Sequence, residues 1–170
     1  WFTCTAPTPR GPRTRMIFIN SPHNPSGALW TAEDMRRLIE LIRGKDTTDE
    51  TVTGIRELAT ALGKQVIVSS DRPGFIVNRI LMPFLAEAMR ALQEGLGTAE
   101  DIDTGARVGL NHPMGPLELA DFIGLDVCLG IMRVLDDGLG QEHMRPPRVL
   151  LELVNAGHLG QKTGRGFYTY

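Results

Sequence analysis

The chain has 170 residues, 42% of them hydrophobic and 22% charged, with a formal net charge of -2. That is enough apolar material for a real core, and the charge gives no reason to expect nucleic acid or an anionic membrane as a partner. No run of about 18 apolar residues occurs and the N-terminus lacks a basic-then-apolar signal pattern, so a soluble, cytoplasmic protein is expected. Cys4 and Cys128 lie far apart without metal-ligand spacing, which fits a reducing compartment.

In chain order, the first 15 residues hold four threonines, three prolines and three arginines without a period, and read as an irregular leader. Met16-Ile-Phe-Ile-Asn20 is a short apolar run closed by turn residues, a predicted strand. Ser21-Pro-His-Asn-Pro-Ser-Gly27 is a loop on any reading. Thr31 then looks like an N-cap with Asp34 three residues later. Met35, Leu38, Ile39 and Ile42 follow at helical spacing. This predicts a helix with Glu40 turned away from its apolar face, toward solvent.

A second helix is predicted over about 49–63, with Val52, Ile55, Leu58, Ala59 and Leu62 as its stripe and Gly63 as its stop. The β-branched Val66-Ile-Val68 suggests a strand. Beyond Ser70 the chain reads as helical: 75–94, a capped helix from Thr98 to about 108, a pair near 116–123 and 125–137, and a last one near 147–156. The tail from Gly157 to Tyr170 is rich in glycine, with basic and aromatic residues. No internal repeat is found.

The segment Asp71-Arg-Pro-Gly-Phe-Ile-Val-Asn78-Arg is the most telling stretch. Pro73 presets one backbone angle and Gly74 permits a conformation that other residues resist, so a tight turn leads into a long apolar helix. Asn78 sits near the start of that helix among Phe75, Ile76, Val77 and Ile80, and a buried amide needs partners. A cap or an interhelical hydrogen bond would satisfy it; so would a ligand.

Residues 38–170 resemble the end of a 3-hydroxyacyl-CoA dehydrogenase, especially the bacterial 3-hydroxybutyryl-CoA type. The matching pieces are Leu38-Ile-Glu40-Leu-Ile-Arg-Gly44, Gly63-Lys-Gln-Val, the Asp71–Arg79 segment and Glu100-Asp-Ile-Asp103. Gly109-Leu-Asn-His-Pro-Met-Gly-Pro-Leu117, Asp121-Phe-Ile-Gly-Leu-Asp126 and Gly160-Gln-Lys-Thr-Gly-Arg-Gly-Phe-Tyr168 complete the series. Order and spacing both fit. The resemblance implies a mainly α fold: a helical C-terminal domain of the 6-phosphogluconate-dehydrogenase-like type, preceded by a truncated α/β fragment. Domains are expected at 1–47 (irregular leader with strand and helix), 48–70 (edge of a Rossmann domain) and 71–170 (helical domain). It further implies NAD as cofactor, a short 3-hydroxyacyl-CoA as substrate, a homodimer built on the helical domain, and Glu40 and Asn78 as the catalytic positions. No nucleic acid, membrane or metal is implied.

Two parts of that family's machinery have no match. The dinucleotide fingerprint G-x-G-x-x-G occurs nowhere in the chain, and Gly160–Gly166 follows a helix, so it reads as a docking tail rather than a phosphate cradle. The family's glutamate, matched by Glu40, holds a general acid/base histidine twelve positions earlier, where this chain has Ala28. The expectation is therefore a dehydrogenase portion that is inactive as an isolated chain, the alternative being a non-catalytic helical dimerisation module. Residues 10–37, with Ser21-Pro-His-Asn-Pro-Ser-Gly27, resemble instead a class I aminotransferase. There Asn24 would meet the phenolic oxygen of pyridoxal phosphate, but no Schiff-base lysine region is recognisable. The chain thus reads as a junction near residue 38.

The other candidates have plain structural explanations. His112 reads as a loop residue before a helix start. Glu118 and Asp121, three apart, read as a solvated face, and Asp101 and Asp103 as a helix opening that favours the dipole. Lys162 and Arg165 read as a basic tail packed on its own domain, and Met82, Met89, Met114 and Met132 as filler of the core or dimer face.

Overall fold

The structure is a computed structural model and describes residues 17–20 and 38–170. The predicted N-cap at Thr31, Met35 and the aminotransferase-like Asn24 lie outside the described residues. The chain divides into two compact units, one running to Val77 and the other covering Asn78–Tyr170.

Among the described residues the first unit holds a three-stranded sheet of order β1-β2-β3, with β1 at Ile17–Asn20, β2 at Leu38–Arg43 and β3 at Gln65–Ser70. Strands β1 and β2 are antiparallel, whereas β2 and β3 are parallel and joined through helix α1, Asp49–Ala61. Thr48 caps α1 by accepting the amide of Thr51, with Asp49 and Glu50 in the first turn, as an N-terminal dipole favours. Gly63, at φ 72°, ends it close to the expected place.

The helix expected to run through residues 38–42 is not there. Leu38–Arg43 is the central strand, and Glu40 pairs with Ile19 on one side and Ile67 on the other. Leu41 and Ile42 are buried, and so is Glu40, which is only 3% exposed rather than turned to solvent. A six-residue run of Leu-Ile-Glu-Leu-Ile-Arg satisfies either period, and pairing on both edges decides for the strand.

The second unit is helical. Helix α2 spans Val77–Gln93, its first residue being the last of the first unit, and buries Met82, Leu85, Ala86, Ala88 and Met89. Pro83 removes one rung inside it, yet the buried apolar face carries the helix through. Helix α3 covers Ala99–Thr104, opened by a reciprocal capping box between Thr98 and Asp101. The last turn of the expected helix widens into a π-helical turn, Gly105–Gly109. Helix α4 is Pro116–Ile123, α5 Leu125–Leu139 and α6 Arg148–Asn155. Their shared core is Leu85, Met89, Leu117, Leu125, Met132, Leu135 and Leu150, all essentially inaccessible. Met82 and Met114 join it, so the four singled-out methionines are core filler. Among the described residues the chain is mainly α, as expected, and no helix is long and apolar enough to cross a membrane.

Candidate functional site

The turn after β3 has a defined form. Phe75 N–H donates to the Arg72 carbonyl at 3.0 Å, with Pro73 and Gly74 between them and Gly74 at φ 78°, a type II arrangement in which only glycine is relaxed. Phe75 itself is left-handed at φ 49°, a conformation that costs a bulky residue about 1–3 kcal/mol. What this bend achieves is to aim the next amide, Ile76 N–H, at Glu40, whose Oε1 accepts it at 2.5 Å. A buried carboxylate therefore reaches from the central strand to the residue just before α2. This is a charge-assisted bond, and negative charge is favoured at a helix start.

Asn78 lies two residues further, in the first turn of α2, half-buried. Among the described residues its side-chain amide makes no hydrogen bond, so the helix-start bond that would have explained it structurally is not formed. Next to it, Arg79 donates through Nη2 to Gln141 at 3.1 Å, while its buried Nη1 has no partner among the described residues.

His112 sits in the loop before α4, as expected. Its Nδ1 is 2.7 Å from the Met114 carbonyl and its ring packs on Phe84 with centroids 5.0 Å apart. A carbonyl only accepts, so Nδ1 carries the proton and Nε2 is the acceptor in the neutral ring.

Two carboxylates were misjudged from sequence. Asp121 is not on a solvated face: it is fully buried and accepts Phe167 N–H and Tyr168 N–H, each at 2.9 Å, and the Tyr170 hydroxyl at 3.1 Å. Asp103, also fully buried, caps a different helix from its own: Leu117 N–H and Glu118 N–H at the start of α4 donate to it at 2.8 and 3.0 Å. The Tyr168 hydroxyl donates to the same carboxylate at 2.8 Å. Desolvation raises the Asp121 carboxyl above its ordinary range despite those bonds, with repulsion from Asp103 adding to the rise. The sequence did carry a signal, since Asp121 lies one turn after Leu117 on α4 and Asp103 one turn after Ala99 on α3.

Glycines make the close approaches possible. A Cβ on Gly115 would stand 2.1 Å from Asp103 Cγ, and one on Gly166 1.9 Å from Asp121 Oδ1. Asp101 and Glu118 behave as surface groups: the Thr98 hydroxyl holds the Asp101 carboxyl below its usual range, and Glu118 pairs with Arg107 at 3.1 Å. Lys162 pairs with Asp126, which is likewise held low, and Arg165 is exposed. The basic tail is thus packed on its own unit.

Neither described strand-to-helix turn suits a dinucleotide pyrophosphate. After β2, Gly44 N–H is spent on the Thr47 hydroxyl and Thr51 N–H on the Thr48 cap. After β3, the amide at the helix start already faces the Glu40 carboxylate, which would repel a phosphate. Among the described residues there is also no cluster of three His, Cys, Asp or Glu side chains placed to hold a metal.

Comparison with known proteins places these features. Residues 74–170 match the family model for the 3-hydroxyacyl-CoA dehydrogenase C-terminal domain, and residues 30–72 match that for the NAD binding domain of the same enzymes. Residues 4–48 match aminotransferase class I and II, overlapping the second match. The chain is 55% identical over 136 residues to a 3-hydroxybutyryl-CoA dehydrogenase of Bradyrhizobium diazoefficiens, covering 80% of this chain and 46% of that protein. A probable 3-hydroxybutyryl-CoA dehydrogenase of Bacillus subtilis is 50% identical over 134 residues, covering 79% of this chain and 47% of that protein. In structure, the chain is similar to (S)-3-hydroxybutyryl-CoA dehydrogenase from Ralstonia eutropha, with a TM-score of 0.77 and 49% identity, covering 79% of this chain and 47% of that one. The chain spans about half the length of the curated relatives it matches. From the Glu40 strand through the helical unit to the Gly-Phe-Tyr tail, the chain belongs to the 3-hydroxyacyl-CoA dehydrogenase family.

Proposed function

We propose that this chain is the acyl-CoA side of an NAD-dependent 3-hydroxyacyl-CoA dehydrogenase. The reaction is hydride transfer between NAD and the 3-hydroxyl carbon of a short acyl-CoA such as 3-hydroxybutyryl-CoA, in fatty-acid or butanoate metabolism. The observation that carries this reading is the pairing of 55% identity to a 3-hydroxybutyryl-CoA dehydrogenase with a buried Glu40 on the central strand. The only described bond of that buried side chain is to Ile76 N–H, which leaves its second oxygen without a described partner. Asn78, half-buried and with no side-chain hydrogen bond among the described residues, is the second functional position, available to hydrogen-bond a substrate oxygen. We assign 71–170 as the helical domain and 48–70 as the edge of the nucleotide domain.

NAD supplies the hydride acceptor in the whole enzyme. The turns described here do not fit its pyrophosphate, and Ala28 stands where the family has its acid/base histidine. Turnover by this chain alone is therefore expected to be absent. A homodimer through α2 and α5 is part of the proposal, supported by exposed Ile80 (67%) and Val134 (59%) on those helices. The test is oxidation of NADH by the purified chain with acetoacetyl-CoA, beside an NADH titration. No binding and no turnover is the expected result. Turnover abolished by Asn78→Ala would show that a complete cofactor site exists in this chain and would overturn the expectation of inactivity.

A further inference from the structure

The C-terminal segment is joined to the helical unit in an unusual way. Its internal bonds make a compact double loop: Gly160 N–H donates to the Arg165 carbonyl, Gly166 N–H to Tyr168 and Tyr170 N–H to Gly164. Its outward side-chain and amide bonds converge on a few acceptors. Phe167 N–H, Tyr168 N–H and the Tyr170 hydroxyl go to Asp121, the Tyr168 hydroxyl goes to Asp103, and Lys162 goes to Asp126. Asp103 is the hinge of this arrangement, because it also accepts Leu117 N–H and Glu118 N–H at the start of α4. One carboxylate on α3 thus ties together the tail, its own helix and the first turn of α4. That turn directly follows the Asn111–Gly115 loop, where His112 is bound to Met114 and Asn111 is left-handed at φ 53°.

The fit leaves no slack. A Cβ on Gly160 would come within 2.1 Å of the Asp121 carbonyl oxygen, and one on Gly115 within 2.3 Å of Asp103 Cβ. Phe167 and Tyr168 also lie on the apolar core beneath. A carboxylate with three donors loses most when one is removed in a buried place, because the remaining geometry cannot rearrange around it.

We propose that residues 159–170 form a clasp: a unit that opens and closes as one piece and, through the Tyr168 hydroxyl on Asp103, holds the start of α4 and the His112 loop in position. Tyr168 and Tyr170 then have separate jobs. Tyr168 couples the clasp to α4, whereas Tyr170 holds the clasp to Asp121 alone. Opening would release Asp121, Asp103 and the loop together, before the α2–α5 core unfolds.

Amide hydrogen exchange on the full chain, resolved by NMR, separates these jobs. In the native chain, Phe167 and Tyr168 amides are expected to exchange as one class, slower than exposed loops and faster than core amides such as Leu129. Tyr168→Phe should speed exchange at Leu117 and Glu118 roughly tenfold and shift the His112 ring signals, although those residues lie some 50 positions away. Tyr170→Phe, which leaves the Asp103 link intact in the closed state, should speed exchange at Phe167 and Tyr168, carry Leu117 and Glu118 with them through the shared opening, and leave the His112 ring signals as they were. Both variants keep the apolar ring, so packing is preserved. The clasp is overturned if Tyr168→Phe leaves Leu117 and Glu118 unchanged. It is equally overturned if either variant accelerates Leu129 as much as the tail, since that is general destabilisation rather than a coupled opening.

Discussion

Replacing Asp121 tests the packing account with the largest lever in the helical unit. Its two oxygens receive three donors: Phe167 N–H on Oδ1, and Tyr168 N–H with the Tyr170 hydroxyl on Oδ2. In Asp121→Asn the oxygen can keep Phe167, and the tyrosine hydroxyl can rotate to accept from the new amide. Tyr168 N–H, however, would face another donor. One bond to a charged group is lost and a buried N–H is left unpaired, a cost of about 1.5–3 kcal/mol. Against this, the asparagine is spared the desolvation that raises the carboxyl. The net is about 1–2 kcal/mol, or roughly 5–10 °C in melting temperature for a unit of the size of Asn78–Tyr170. Asp121→Ala loses all three bonds and leaves a void, and should cost about 3–5 kcal/mol. The assay is thermal unfolding followed by circular dichroism at neutral pH. A melting temperature within a degree of the parent for Asp121→Asn, or an alanine variant no worse than the asparagine, would show that these three bonds do not stabilise the unit.

Further outcomes follow from the same groups. At high pH, burial pushes the Cys128 thiol from 9.0 up to about 12, and desolvation with carboxylate neighbours also raises Tyr168 and Tyr170. Groups raised on folding stabilise below their ordinary values and lose that contribution above them, so stability should fall progressively from about pH 9 upward. Urea midpoints at pH 7 to 11 check this, and Cys128→Ala should flatten the slope that begins near pH 9. At low pH, Asp121, raised on folding, favours the folded chain when protonated; stability from it declines as pH rises through the raised value, and Asp121→Asn should remove that decline in acid titrations. Gly166→Ala places a Cβ 1.9 Å from Asp121 Oδ1 and should destabilise the helical unit by more than 2 kcal/mol in denaturant unfolding, roughly the range of overpacked sites. Glu40→Gln keeps the shape but loses the charge on the Ile76 bond; exchange at Ile76 N–H should quicken roughly tenfold while Leu41 is unmoved.

How far the fold could be read from sequence depended on how local its causes are. The boundaries of α4 and the start of α5 were legible because Pro116, Gly124 and an apolar stripe act within one or two turns. Met82 and Met132 as core, and the tail as a docked segment rather than a phosphate cradle, followed from position alone. The strand at Leu38–Arg43 was not legible, since its period is ambiguous and its partners are β1 and β3. Glu40 changed from a surface group to a buried one with that single reassignment. Asp103 and Asp121 were hidden for another reason: their donors sit up to 65 residues away, in the docked tail and, for Asp103, also at the start of α4. Asn78 was singled out by its place in an apolar first turn, and among the described residues no side-chain hydrogen bond explains it there.

As proposed, Glu40 and Asn78 would serve an acyl-CoA half that works once a complete nucleotide part is supplied. The most direct test joins the N-terminal part of the Bradyrhizobium relative to residues 38–170 of this chain, within the region that is 55% identical. The hybrid's acetoacetyl-CoA-dependent NADH oxidation is then measured. Turnover by the hybrid is the expected result, reduced roughly a hundredfold or more by Asn78→Ala and by Glu40→Gln, with both variants folded. A folded hybrid that binds NADH but shows no turnover, or turnover indifferent to both substitutions, would contradict it.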